Sequence, residues 1–166
     1  MTDQPSSGDP RPYKRPVSVL VVVCTAAGEF LMLNRTRPAG FWQSVTGSLR
    51  PGESPRTAAL RELREETGLL GAGRLVDLHQ SRLFPIVRAW RTRYAAGVRF
   101  NREHWFALPL PGRRLIRLNA AEHSACAWLT LDNALELAAS WTNREAIRVV
   151  FSLLQGSSSV PDRVRA

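Results

Sequence analysis

The chain has a single lysine, Lys14, only two cysteines, and no long apolar run. Cys24 and Cys126 stand too far apart for a zinc-ligand spacing, and two thiols make no disulfide framework. Cys24 closes an apolar run, where a small buried hydrophobe is the expected role. The longest such run, residues 17–27, is broken by Ser18 and Thr25. It falls short of the roughly 18 residues needed to cross a bilayer. The opening MTDQPSSGDPRP holds no apolar segment behind a basic one, so no secretory signal is expected and a cytoplasmic location is. No internal repeat and no linker divides the chain, which favours one domain.

Acidic residues are outnumbered, 14 against 23 basic, for a formal charge of +9 carried almost entirely by arginine. Such a chain draws in anions: a nucleotide, a polyphosphate or a nucleic acid. Charge alone does not choose among them. At 166 residues the chain can bury a core without staples. We expect tails over residues 1–12 and 156–166, rich in Pro, Ser and Gly, flanking a domain over residues 13–155.

Apolar and β-branched runs predict strands over residues 15–24 and 29–34, joined as a hairpin, then over 41–46, 75–84, 88–94, 98–108 and 125–129. Ser54 as N-cap, Pro55 at the first helical position and Gly68 as the stop bracket a helix between them. Two more helices are expected, from Asp132 or Asn133 through Ala139 and from Thr142 through Leu154. Without regular βαβ alternation, this order argues for an α+β arrangement or an α/β/α sandwich around a mixed sheet.

Within the first helix, RELREETG places Glu62, Glu65 and Glu66 on one face, with Leu60, Leu63 and Thr67 on the face toward a core. Ala58 and Ala59 precede the acidic face and are expected to leave room for a ligand. Glu62 and Glu66, four apart with like charge, repel, and Arg61 offsets this only in part. A divalent cation would reverse the sign, and Mg²⁺, which takes hard oxygen ligands shared with substrate phosphates, suits such a cluster.

The preceding residues sharpen this. From Gly47, GSLRPGESPRTAALRELREETGL reads as a glycine, five residues, Glu53, seven residues, then Arg61 through Leu69. In this the chain resembles the Nudix hydrolases at every specified position of their box. The resemblance implies an α/β/α sandwich with a mixed central sheet and hydrolysis of a nucleoside diphosphate linked to another group, with Mg²⁺ or Mn²⁺. It implies that Glu62 and Glu66 are the main metal ligands, that Glu65 is a further ligand or the base, and that Arg61 and Glu53 orient them. Gly47 would let its backbone carbonyl approach the metal. A non-catalytic binding module of the same fold is disfavoured, because the acidic set is complete.

The likeness runs on through YKRPVSVLVVV, FWQSVTGS, RYAAGV, NREHWF, EHSACAWL and SWTNREAI, which look like the bacterial branch of that family acting on 7,8-dihydroneopterin 3′-triphosphate in folate biosynthesis. The small-molecule triphosphate is then the implied substrate, with nucleoside triphosphates, dinucleoside polyphosphates and RNA 5′ ends as alternatives that the box does not separate. Glu122 corresponds to a glutamate outside the box implicated in relatives, as a ligand or as the base that takes the water's proton. His123 beside it is expected to be a satisfied or exposed histidine. Lys14, Arg15, Arg91 and Arg93 are candidates for the phosphates. Trp42, Trp90, Tyr94 and Trp105 are candidates to stack on the ring, with core packing as the competing role. Trp141 is expected to pack, and Asn143 to open the last helix. A purely nucleic-acid-binding protein is disfavoured, since no helix-turn-helix, zinc or RNA-recognition pattern is present.

Overall fold

The computed structural model describes residues 13–158. Strands β1 (Val17–Thr25), β2 (Phe30–Arg35), β3 (Trp42–Gln43) and β4 (Val45–Ser48) come first, followed by helix α1 (Pro55–Thr67). Then come β5 (Val76–Pro85), β6 (Phe100–Leu110), β7 (His123–Leu129) and helices α2 (Leu131–Leu137) and α3 (Trp141–Ser158). The strands form one mixed sheet in the order β3-β2-β1-β6-β5, with β7 beside β2 and β4 beside β1. Only β1 and β6 run parallel among these strand pairs; the rest are antiparallel.

Period-two alternation along β1 divides the interior into two cores. Val19, Val21 and Val23 face α1 and pack with Ala58, Ala59 and Leu63. Leu20, Val22 and Cys24 face the other way, onto Ala134 and Ala138 of α2 and Ala146, Ile147 and Val150 of α3. Helices on both faces of a mixed sheet make the expected α/β/α sandwich. Cys24 is fully buried, and burial pushes its thiol up to about 11, so it serves as a hydrophobe. Among the described residues no helix is long and apolar enough to cross a membrane.

Helix α1 begins and ends where its caps require. Ser54 Oγ accepts the Thr57 N–H at 3.2 Å, and Gly68 adopts φ 73° while its N–H closes on the Arg64 carbonyl at 3.1 Å. The expected room beside Ala58 and Ala59 is absent: both are fully buried in the α1-side core. Their small side chains let the helix approach the sheet closely.

The strand expected over 41–46 is two strands. Trp42–Gln43 pairs with β2, Val45–Ser48 pairs with β1, and the break falls at Ser44, whose N–H donates to Asn143 Oδ1 at 2.7 Å. The sheet therefore forks: β1 pairs with β4 over residues 18–21 and meets β2 at Cys24 opposite Phe30. A second expectation fails outright, for residues 88–94 are no strand. Ladder pairing of β5 with β6 ends at Pro85 opposite Phe100, no strand lies beside residues 88–94, and Arg88–Arg93 winds into a 3₁₀ turn. Strand β6 continues through Pro109, opposite Cys24, rather than stopping before it. Helix α3 reaches Ser158, three residues into the expected C-terminal tail. The expected tails over 1–12 and 159–166 lie outside the described residues.

Candidate active site

The fork in the sheet is where the acidic residues meet. Edge strand β4 leaves the Thr46 N–H without a strand partner, and it points to Glu66 Oε2 at 3.4 Å. Glu66 is only 2% exposed, although it lies on the helix face opposite Leu60, Leu63 and Thr67. Burial pushes its carboxyl pKa up, and the nearby His123 imidazole pulls it back.

Glu62 lies one turn earlier, against Gly47. A Cβ built on Gly47 would fall 1.8 Å from Glu62 Oε1, so the glycine is what lets that carboxylate lie along β4. Burial raises Glu62 to about 7 despite the hydrogen bond from Arg61, and Glu66 and Glu65 add to the rise. Burial makes ionisation of both carboxylates costly, and a further cation would favour it.

Arg61 organises the cluster. Its Nε and Nη2 donate to the two oxygens of Glu53 at 2.8 and 2.9 Å, and its Nη1 reaches Glu62 at 2.6 Å and Glu65 at 3.1 Å. Nη2 also donates to the Ser48 carbonyl at 3.1 Å, tying helix to strand. Glu53 in turn accepts the Arg50 N–H at 2.7 Å, and the bond from Arg61 drops its carboxyl to about 2. Glu65 is more open and shared with Arg50 Nη2 at 2.9 Å.

Glu122 comes from the turn before β7. Asn119 fixes it twice, by accepting its N–H at 3.1 Å and by donating Nδ2 to its carboxylate at 3.3 Å, while the Asn119 N–H donates to the Glu66 carbonyl at 3.2 Å. His123 follows, and it is neither exposed nor satisfied. It is 1% exposed, its Nε2 lies 3.3 Å from Glu66 Oε1, and neither ring nitrogen makes an aligned hydrogen bond. Glu66, Glu122 and His123 each offer an atom within 4.8 Å of the others. An orphaned buried imidazole, a buried carboxylate and an exposed glutamate around one point fit a divalent cation.

Of the residues expected at the phosphates, Lys14 is best placed. Partial desolvation lowers its pKa first and the cations Arg93 and Arg35 lower it further, while Glu62 and Glu122 act in the opposite sense. It is therefore within electrostatic reach of both acidic groups. Arg15 instead braces the loop before α1, donating to the Arg50 carbonyl at 2.8 Å, and Arg91 donates to the Ile86 carbonyl at 3.2 Å. Arg93 is exposed, and its carbonyl accepts the Lys14 N–H at 2.8 Å. Trp42 packs on the α3-side core, and Trp105 is fully buried there, which removes Trp105 as a stacking platform. Tyr94 is held by a hydrogen bond with the Ser48 side chain, and burial pushes its phenol up.

Sequence reasoning missed Arg35 and His123. They are cross-strand partners where a register shift after Asn34 interrupts the β2–β7 ladder, and such irregularities re-aim side chains. Arg35, Arg37 and Glu122 line a cleft of about 320 Å³ beside the acidic cluster. No signal marks Arg35 among so many arginines. For His123, only its place at the start of an alternating strand pointed inward.

A three-layer fold whose helix sets braced carboxylates against a glycine at a sheet fork, with cations nearby, suits metal-assisted chemistry on phosphates. The chain belongs to the Nudix hydrolase family: the NUDIX domain matches residues 14–150. It is 44% identical over 139 residues to the dihydroneopterin triphosphate diphosphatase of Escherichia coli K12, covering 81% of this chain and 91% of that one. It is 36% identical over 140 residues to the enzyme of the same name from Haemophilus influenzae, covering 82% and 87%. The solved structure of the E. coli dihydroneopterin triphosphate pyrophosphohydrolase superposes with a TM-score of 0.79 at 41% identity, covering 86% of this chain and 99% of that one.

Proposed function

We propose that the chain removes pyrophosphate from 7,8-dihydroneopterin 3′-triphosphate, leaving the monophosphate, as a cytoplasmic step of folate biosynthesis that uses Mg²⁺ or Mn²⁺. The observation that carries this is the 44% identity to the E. coli enzyme across nearly the whole domain. The braced acidic cluster supports it.

Glu62 and Glu66, with the Gly47 carbonyl, are the groups proposed to hold the metal, Glu65 is a further ligand, and Glu122 beside them is a ligand or the base. When bound, the metal neutralises charge on the triphosphate and acidifies the attacking water. The chain's own residues supply the rest. Arg61, gripped by Glu53, offsets the repulsion between Glu62 and Glu65 and fixes their orientation. Lys14 and Arg35 face the charge of the phosphates, with Arg15, Arg91 and Arg93 in lesser parts.

For the base, Glu122 is the better reading. Glu65 is already bound by two arginines, which weakens it as a proton acceptor, whereas Glu122 has one neutral Asn119 donor. Tyr94, which lines a cleft of about 530 Å³, is the better placed of the aromatic candidates to meet the ring.

The test is pyrophosphate release in Mg²⁺ from dihydroneopterin triphosphate, GTP, dATP, diadenosine tetraphosphate and triphosphorylated RNA at equal concentration. A clear preference for the pterin, with pyrophosphate and not single phosphates as product, is the expected result. Preference for another of these keeps the hydrolase and discards the substrate; no turnover of any would return the chain to the binding-module reading.

A further inference from the structure

On the sheet face away from α1, one row of polar side chains crosses four strands. Ser18 of β1 is the register partner of Ser48 on β4 and of Glu103 on β6, and Glu103 is in turn the partner of Arg82 on β5. The next row along β1 and β6 is apolar, Leu20 beside Trp105, and α3 covers it. The polar row lies just beyond the α3 N-terminus, and Asn101 stands two residues before Glu103 on the same face of β6.

Glu103 in this row and Asn101 beside it are buried, while Ser18, Ser48 and Arg82 are half-buried, and the unused capacity of the buried groups is nearly all of one kind. Asn101 is 3% exposed; its Nδ2 donates to Ser18 Oγ at 2.7 Å, which leaves Oδ1 with no partner. Glu103 is 5% exposed and meets only neutral donors, Trp105 Nε1 at 3.1 Å and the Thr142 hydroxyl. Its register partner Arg82 does not neutralise it, since that guanidinium is bonded to Glu145 and stacked over the Trp105 ring at 4.5 Å. Ser44 Oγ, 1% exposed, is also unpartnered, and its backbone N–H is held by Asn143, next to Thr142.

A buried carboxylate without a cation, beside an orphaned amide oxygen, is costly unless something brings donors to it. A planar ring edge with adjacent N–H groups does so, pairing with a carboxylate as a guanidinium does. A 2-amino-4-oxopyrimidine presents that edge; adenine offers one donor beside an acceptor. A cleft of about 530 Å³, bordered by Tyr94 and Arg99, lies on the chain that enters β6 two residues before Asn101. On β4, Ser48 adjoins Gly47, the start of the metal cluster, so a ring in this row and a triphosphate at the fork can belong to one molecule.

We propose that Glu103, with Asn101 and Ser44, recognises the 2-amino-4-oxopyrimidine edge of the substrate ring, Glu103 accepting the ring N–H and the amino group together. This rests on the triphosphate-hydrolase reading and names the residues that choose its ring. Hydrolysis of GTP and ITP, which share a triphosphate and differ by the 2-amino group, isolates the contact. The wild-type kcat/KM is expected to favour GTP by at least about tenfold, since a site built to hydrogen-bond a group rejects the analogue that lacks it. In Glu103→Gln that ratio should fall to about twofold or less, through loss on GTP.

Neopterin binding, followed by its fluorescence without metal, should weaken in parallel in Glu103→Gln and in Asn101→Ser. The second variant carries the test if the first does not fold. A folded variant that keeps the wild-type GTP-to-ITP ratio and neopterin affinity overturns the assignment, even if the pterin triphosphate remains the preferred substrate. Wild-type protein that ignores the pterin triphosphate but still prefers GTP over ITP sinks the substrate reading and supports this pocket.

Discussion

Arg61 holds both carboxylate oxygens of Glu53, at 2.8 Å from Nε and 2.9 Å from Nη2, with both side chains largely out of solvent. The carboxyl is thereby lowered to about 2 from an ordinary 4.5. A depressed acid contributes stability above its unfolded pKa and loses it as pH falls through its folded one. Glu53→Gln should therefore cost on the order of 2 to 3 kcal/mol at pH 7, a penalty that shrinks below about pH 4.5 and vanishes near pH 2. Urea unfolding of both proteins between pH 3 and 7 measures this. A constant gap across that range would show that the pair is not what Glu53 contributes.

Gly47→Ala separates site geometry from folding. The new methyl would sit 1.8 Å from Glu62 Oε1 and 2.4 Å from its Cγ, so the whole Glu62 side chain must turn away from β4 and out of its bond from Arg61, while the backbone is untouched. We expect a melting temperature within a few degrees of wild type, a loss for which ~1 kcal/mol is sufficient. Metal affinity should drop about 10- to 100-fold, the range typical of displaced ligand support. Calorimetric titration with Mn²⁺ and a thermal melt give both numbers. Unchanged metal affinity would mean that Glu62 has another way to reach the cation.

The first helix was legible because its signals are local: Ser54, Pro55 and Gly68 act on their own backbone, and the box has fixed spacing. What the sequence concealed was set by tertiary partners. Residues 88–94 hold strand-forming types, yet no strand lies beside them once β5 and β6 part at Pro85 opposite Phe100. A helical wheel placed Ala58 and Ala59 near the ligand; the close approach of α1 to β1 buried them instead. The wheel put Glu66 on the acidic face but could not show that the β7 turn, distant in sequence, closes over it with His123. Arg35 and His123 meet through a register shift that no periodicity announces.

Lys14 should serve binding more than chemistry. Its ammonium senses Glu62 and Glu122 but also Arg93 and Arg35, so it stands at the rim between the acidic cluster and the cationic cleft. Lys14→Met removes a charge-assisted bond of roughly 1.5 to 3 kcal/mol, which raises KM for the triphosphate about tenfold or more. The expected signature is a KM rise with kcat within about threefold of wild type, the mark of an interaction made equally in ground and transition states. Steady-state kinetics at saturating Mg²⁺ tests it. A fall in kcat with KM unchanged would place Lys14 against charge that develops only during the reaction.

Glu66→Gln probes the buried centre of the cluster. The amide matches the carboxylate in size, and burial has already raised the carboxyl's pKa, so removing the charge relieves a desolvation cost in the metal-free protein. The melting temperature without metal should accordingly hold or rise, while turnover falls by at least about 100-fold because a negatively charged oxygen is lost where the cation is needed. The wild-type protein should gain stability on adding Mg²⁺ and the variant much less, by simple linkage. Melts with and without Mg²⁺, beside pyrophosphate release, distinguish the outcomes. A folded Glu66→Gln protein with normal activity would refute the placement of the metal at this glutamate and move it toward Glu62 and Glu65, where Arg61 already stands.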